Sequence, residues 1–341
     1  MEKKHYLTGD AETDKIINEL AQKYGNPHNR YFFRELFTSI IKLSLDKADN
    51  KDLFLTNVAL KELRYIFKTF SPFRDTKKVV IFGSHISSPK SQEYKMAQAF
   101  AKKIVKEGFM VITGGGGGVM EAGNCGAGKE GFAVKIQIAG EEKPNPYVNL
   151  SEKLVNVRYF FTRKLAFLKE SDATVLFPGG FGTQDEGFEV LTLLRTGKTP
   201  PRPLLFIENP GGSYWKDWLK YLKKEFLGGG YIEEEDFVFI KIVNSVEAAV
   251  KEIKNFYRNY HSVKYGREIT IIRLNRQIPV SALKKIGKKY QDFIEGEIRP
   301  SGPLPDEVRE KEWLNLPRIC MHIKRKDFGR LTQLIHDLNQ V

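Results

Sequence analysis

Nine consecutive residues, Pro178-Gly179-Gly180-Phe181-Gly182-Thr183-Gln184-Asp185-Glu186, bring three glycines, a hydroxyl and a carboxylate together. A strand-like apolar stretch, Ala173 to Phe177, precedes them, and a helix-like stretch, Phe188 to Arg195, follows. Glycines at such a junction let the backbone approach a ligand with no Cβ in the way. The first amides of the helix have no intrahelical acceptor, and the helix dipole favours an anion beside them. A phosphate group is the natural guest, with Gly179, Gly180, Gly182 and Thr183 as its candidate cradle. Glu186 then sets a carboxylate about one turn into the helix, next to that guest. The spacing from Thr183 to Glu186 is also that of a capping box, in which Glu186 would only bond the start of its own helix.

A second glycine run lies upstream, Thr113-Gly114-Gly115-Gly116-Gly117-Gly118-Val119-Met120-Glu121-Ala122-Gly123-Asn124. It too follows a strand-like segment, Phe109 to Ile112, and opens a helix-like one. One such turn says little; two in one chain, each followed by a glutamate, say much more. Ser84 stands at the end of another buried strand, Val79 to Phe82.

These loops need a frame to hold them. Residues 76 to about 258 alternate strand-like and helix-like segments. The strand-like ones are Val79–Phe82, Met110–Ile112, Phe132–Ile138, Leu154–Val157, Ala173–Phe177, Pro203–Ile207 and Phe237–Ile240. Continuous apolar strands with helices between them predict an α/β fold: a Rossmann-like, doubly wound, mostly parallel sheet covered on both faces. Ligands bind such sheets beyond the carboxyl ends of the strands, where both glycine runs fall. Residues 1–75 read as a helical N-terminal extension, broken at Ser71-Pro72. Residues 260–341 read as a small basic α+β appendage with 16 Lys/Arg and 10 Asp/Glu, interrupted by the Pro/Gly stretch Arg299–Pro305.

The bulk composition narrows the classes. A chain of 341 residues buries enough surface to fold without staples. Its two cysteines, Cys125 and Cys320, argue against a disulfide framework or a zinc ribbon. The six histidines show no metal-ligand spacing, so no metal is expected. The charged start, Met1 to His5, leads into no apolar signal core, and no stretch approaches the length of a membrane span. A cytoplasmic protein with no membrane partner is expected. The net charge of +13 suits phosphorylated ligands or nucleic acid. Acidic residues are interleaved throughout, so the charge reads as a solvated face and nucleic acid is not expected as a partner.

The Pro178–Glu186 run matches a PGGxGTxxE pattern at every fixed position. With Thr113–Asn124 and Arg163-Lys164 it resembles the LOG (LONELY GUY) family over about residues 77–258. That family comprises cytokinin riboside 5′-monophosphate phosphoribohydrolases and broader nucleoside-monophosphate nucleosidases, often mislabelled as lysine decarboxylases. The segment Arg158-Tyr159-Phe160-Phe161-Thr162-Arg163-Lys164 and the Phe82-Gly83-Ser84 turn are most similar to the larger bacterial members. Gly117 departs from the pattern, standing where many relatives have proline.

The resemblance implies hydrolysis of the N-glycosidic bond of a nucleoside 5′-monophosphate to free base and ribose 5-phosphate. It implies Arg163 and Glu186 as catalytic residues, and phosphate and ribose contacts from the glycine loops, Gly115 and Gly116 included. It implies no redox cofactor, and a homodimer or higher homo-oligomer. The chemistry agrees with the residue types. Glycosidic cleavage builds positive charge on the sugar, which a fixed carboxylate such as Glu186 stabilises. The planar, permanently charged fork of Arg163 suits phosphate or a ribose oxygen. Glu121 and Asn124 are candidates for ribose hydroxyls or the base edge, and Ser84 for a further contact. Glu121 equally suits the dipole of a first helical turn, and Ser84 a strand-end turn. The competing expectation is a non-catalytic nucleotide or molybdenum-cofactor carrier on the same fold, which would have no need of Arg163 and Glu186 together.

Overall fold

The computed structural model of the protein describes residues 6–138, 143–266, 268–311, 313–324 and 327–341. They form two compact units: Met1–Lys61 with Pro305–Glu312, and Glu62–Leu304 with Trp313–Val341. The smaller unit is helical. It holds α1 (Ala11–Tyr24), α2 (Arg30–Leu45), the first half of α3 (Asn50–Phe70) and α11 (Pro305–Glu310). Helix α1 starts where the Asp10 carboxylate accepts from the amide of Thr13 at 2.8 Å, satisfying one orphan donor.

Seven strands form the main sheet of the larger unit: β1 (Lys78–Phe82), β2 (Met110–Thr113), β3 (Gly131–Ile136), β4 (Leu154–Val157), β5 (Ala173–Leu176), β6 (Leu204–Ile207) and β7 (Lys241–Val243). Their order is β4-β3-β2-β1-β5-β6-β7, and every neighbouring pair is parallel. Side chains alternate across a strand, so an all-apolar strand feeds two cores at once. Val79 and Ile81 join α4 (Gln92–Lys106), α5 (Val119–Ala127) and α9 (Val246–Phe256) on one face. Val80 and Phe82 join α6 (Phe160–Glu170), α7 (Phe181–Arg195) and Trp215 of α8 (Tyr214–Tyr221) on the other. The fold is therefore Rossmann-like α/β, as expected. The strand order reverses between β1 and β5, which opens a crevice at their carboxyl ends.

Two expected elements are displaced. The apolar run Phe237–Ile240 is not a strand; Glu234–Phe239 forms a 3-10 turn and β7 starts at Lys241. A capping box starts that turn, with the Glu233 amide donating to Asp236 at 2.8 Å. The apolar side chains of the run pack onto the core from the turn instead. Helix α7 begins at Phe181, seven residues before the expected Phe188, because its first turn contains a glycine that lowers the apparent helical signal.

The C-terminal residues build an antiparallel sheet in the order β10-β11-β9-β8, from β8 (Tyr260–Tyr265), β9 (Thr270–Leu274), β10 (Ile294–Ser301) and β11 (Arg318–Ile323). Helices α10 (Val280–Lys289) and α12 (Phe328–Leu338) share its apolar core. Part of the stretch read as a Pro/Gly break lies in β10, where Pro300 pairs with Ile319. Proline is tolerated there because β10 is an edge strand. This sheet is stitched to the end of α9. The buried Asn339 side chain accepts from the amides of Asn259 and Tyr260, both at 2.8 Å, and donates to the Phe256 carbonyl at 2.6 Å. Among the described residues no helix is long and apolar enough to cross a membrane.

Candidate active site

The β5–α7 turn carries the first glycine cluster. Gly180 is the N-cap of α7, and the amides of Thr183 and Gln184 both reach its carbonyl at 3.1 Å. Thr183 is thus inside the first turn and is not a cap, so the capping-box alternative for Glu186 does not apply. The amides of Phe181 and Gly182 lie ahead of the first intrahelical bond, in the position of anion-binding donors. A Cβ on Gly180 or Gly182 would meet nothing within 4 Å, so this side of the turn faces open space. Gly179 differs: a Cβ there would lie 2.2 Å from Thr183 Oγ1 and 2.9 Å from the Ser84 amide nitrogen. The nearly buried Thr183 therefore supports the turn from within. Ser84 joins it from the end of β1, its amide donating to the Pro178 carbonyl at 3.1 Å.

The β2–α5 turn is built differently. Thr113 Oγ1 accepts from the Gly115 amide at 3.0 Å and donates to Asn124 Oδ1 at 2.6 Å. Asn124 is fully buried, and its Nδ2 donates to the Phe132 carbonyl at 3.0 Å. Asn145 closes the brace, donating from Nδ2 to Asn124 Oδ1 at 2.9 Å and to the Gly116 carbonyl at 3.1 Å. Its own amide reaches the Gly115 carbonyl at 3.0 Å. Asn124, read from sequence as a ribose or base contact, therefore spends its polar atoms holding this turn. Gly118 has φ +62°, and a Cβ there would fall 2.3 Å from the Ser84 carbonyl oxygen, so only glycine fits. The first amide of α5, on Val119, donates to that same carbonyl at 2.9 Å. The first helical amide of α5 is thus tied to Ser84, whereas the first two of α7 lie ahead of the first intrahelical bond. Glu121 Oε1 accepts from the Tyr94 hydroxyl at 3.1 Å.

Helix α6 delivers the cations. Its start is held by Glu62 of α3, a nearly buried carboxylate that accepts from the Arg158 amide and the Thr162 hydroxyl, each at 2.6 Å. Arg163 follows one residue later. Its Nε donates to the Val134 carbonyl at 3.1 Å, and its guanidinium lies against Gly114. This places Arg163 beside the β2–α5 turn. Lys164 turns to α7, with Nζ 2.9 Å from both Asp185 Oδ2 and Glu189 Oε2. Those carboxylates flank Glu186 on the same helix.

Glu186 is 7% exposed. Burial pushes its carboxyl up to about 7; the charges of Lys164 and Arg163 pull the other way, while Glu189 and Asp185 reinforce the rise. A helix N-terminus by itself favours the ionised form of a carboxyl. Desolvation outweighs the dipole, and the group titrates near neutrality. Glu62, Asn145, Lys164, Asp185, Glu189 and Tyr214 were not picked out as site residues by sequence. Of these, Lys164 and Asp185 lie within the quoted motifs, and Asn145 stands between Pro144 and Pro146.

A family model described as "Possible lysine decarboxylase" matches residues 117–253. A pyrimidine/purine nucleotide 5′-monophosphate nucleosidase of Escherichia coli (strain K12) is 26% identical over 190 residues, or 52% of this chain and 38% of that protein. A cytokinin riboside 5′-monophosphate phosphoribohydrolase of Mycobacterium tuberculosis is 26% identical over 163 residues, or 46% of this chain and 83% of that protein. Residues 117–253 form a LOG-family region. The chain spans little more than a third of the length of the E. coli relative, the 38% given above. A solved structure of a molybdenum cofactor binding protein from Rippkaea orientalis is similar at 19% identity and a TM-score of 0.37, covering 52% of this chain and 96% of that one. The family model's description does not fit the chemistry of this LOG site. A lysine that forms a Schiff base must present a neutral amine. Desolvation alone would lower the Lys164 amine, but hydrogen bonds to Asp185 and Glu189 override it and hold the amine above its ordinary value.

Proposed function

We propose that this protein hydrolyses the N-glycosidic bond of a nucleoside 5′-monophosphate, releasing the free base and ribose 5-phosphate. The observation that carries the reading is the placement of Glu186. It is a buried carboxyl titrating near 7, in the field of Arg163 and Lys164, on the helix whose open N-terminus suits a phosphate.

In this reading the amides of Phe181 and Gly182, with Gly179 and Gly180 before them, hold the 5′-phosphate. Thr183 keeps the turn in shape from below. Arg163 contacts the phosphate or a ribose oxygen. As the bond to the base lengthens, positive charge grows on the sugar ring. Ionised Glu186 stabilises that charge and orients the attacking water. The base leaves with a proton taken from solvent, and the attacking water gives up a proton to solvent. In the same reading Ser84, Gly115, Gly116 and Glu121 are assigned to ribose and base. We further propose that residues 76–258 carry the catalysis, and that the protein works as a homo-oligomer. Phe160, Phe161 and Leu165 of α6, the helix that carries Arg163, are exposed and suit a subunit contact.

The test is product analysis after incubation with AMP, GMP, CMP, UMP and isopentenyladenosine monophosphate. Free base plus ribose 5-phosphate from at least one, absent in Glu186→Gln and Arg163→Ala, is the expected result. Nucleotide binding without cleavage across the panel would instead favour a carrier. Light scattering on the eluted peak gives the subunit number.

A further inference from the structure

The turn before α7 contains a Gly-Gly peptide, and such a peptide rotates easily because neither neighbour has a Cβ. Its orientation matters for an anion. In a planar trans peptide the carbonyl and the N–H point in opposite directions. With one orientation the Gly179–Gly180 unit offers a donor to a given side of the turn; flipped, it offers a carbonyl oxygen there, which repels phosphate. A residue that grips the Gly179 carbonyl therefore sets the sign of the cradle.

Tyr214 makes that grip. Its hydroxyl donates to the Gly179 carbonyl at 2.5 Å and accepts from Gln184 Nε2 at 2.8 Å. The phenol thus ties the first half of the turn to the first turn of α7, bridging Gly180 to Thr183 from outside. Tyr214 is itself firmly placed. It opens α8, whose next residue, the fully buried Trp215, donates its amide to Glu208 Oε2 at 2.6 Å and its indole Nε1–H to the Ile207 carbonyl at 3.1 Å. Glu208 is also nearly buried, so the start of α8 is fixed to the end of β6.

We infer that Tyr214 is a positioning residue that locks the Gly179–Gly180 peptide in its phosphate-accepting orientation. It acts on phosphomonoester binding through the turn and does not touch the reacting atoms. This inference rests on the proposed nucleotide reading of the site.

The experiment compares the full-length wild type with Tyr214→Phe, which keeps the ring and removes only the hydroxyl. Calorimetric titration with ribose 5-phosphate, and with the matching nucleoside lacking the phosphate, reads the two halves of the ligand separately. Tyr214→Phe is expected to weaken ribose 5-phosphate about three- to tenfold, the effect of one exposed hydrogen bond. Nucleoside affinity and the melting temperature should stay as in the wild type. In turnover, KM for the 5′-monophosphate should rise by the same factor with kcat unchanged. Gln184→Ala, which removes the outer half of the tie, should move the same quantities in the same direction by less. Equal ribose 5-phosphate affinity in wild type and Tyr214→Phe overturns the inference while leaving the function standing. Equal weakening of nucleoside and ribose 5-phosphate overturns it too, because that is the mark of general structural damage. A wild type that binds no ribose 5-phosphate and cleaves no nucleotide removes the proposed function, and the inference with it.

Discussion

A Cβ built on Gly114 would lie 2.2 Å from Nη2 of Arg163. The guanidinium occupies the volume that any other side chain at position 114 would claim. Gly114→Ala must therefore displace the Arg163 guanidinium, and the Met120 sulfur 2.6 Å from the same Cβ, while residue 163 remains arginine. Misplacing a catalytic group by about 1 Å can cost roughly 100-fold in rate, and a loss of that order in kcat/KM is expected. Steady-state kinetics beside a circular dichroism spectrum checks it. Full activity in a folded Gly114→Ala variant would show that the placement of Arg163 against this turn does not matter to the reaction.

The titration of Glu186 gives a pH prediction with a definite sign. The carboxyl is raised in the folded state from 4.5 to about 7, and the proposed role needs it ionised. The kcat/KM profile of the free enzyme should therefore rise with pH through a limb near 7. Lys164 lowers this group, so Lys164→Met should move the limb to higher pH. A limb that stays in place would separate Lys164 from Glu186. The same shift affects stability. Between the unfolded and folded values the folded state binds the extra proton, so stability falls as pH rises through that window, by about 3 kcal/mol in all. Glu186→Gln carries no such penalty. Urea unfolding at pH 5 and pH 8 should show it gaining on the wild type at the higher pH.

The two glycines of the α7 turn should respond in opposite ways to alanine. At Gly179 the new methyl would strike Thr183 and the Ser84 backbone, so Gly179→Ala is expected to lose about 1–3 kcal/mol of stability. At Gly180 the space is open and φ is −83°, so the fold should tolerate the change. That methyl would project on the side where phosphate is proposed to sit, and about tenfold weaker nucleotide binding is expected. Thermal melts and nucleotide titrations on both variants check the contrast. Unaltered binding by Gly180→Ala would place the phosphate elsewhere.

Asn339 fastens the last helix to the end of α9 through three buried hydrogen bonds. Asn339→Ala removes one partner from each and leaves backbone groups buried, so a loss of about 2–3 kcal/mol is expected, visible in the urea midpoint. A truncation after Asn259 should do worse, because Phe256 would lose the core it shares with α12. A stable, soluble fragment 1–259 would contradict this.

Much was legible in the linear chain, and for identifiable reasons. Strands such as Val79–Phe82 are apolar on both faces, which forces a covered parallel sheet, and short apolar runs separated by helical spacings fix most element positions. Glycine runs mark strand-to-helix turns, and at Gly118 and Gly179 a Cβ would not fit, so both loops at the carboxyl ends were visible from residue type alone. The Phe237–Ile240 run misled because an apolar run of four fits a strand or a packed turn equally well, and local capping at Glu233 chose the turn.

What the sequence by itself determined is the list of chemical groups and the class of frame that carries them: two glycine turns, Arg163, Glu186 and an α/β sheet. Only the tertiary structure decided which groups are free to act. Asn124 became a brace because Asn145, 21 residues on, folds back onto it. The start of α6 depends on Glu62, about a hundred residues away along the chain. The first amide of α5 is taken by Ser84 while that of α7 is not, although both turns look alike in sequence. Glu186 titrates near 7 because desolvation and charge are summed over neighbours from two helices. Burial, hydrogen-bond partners and electrostatic fields belong to positions in space, and no spacing along a chain contains them.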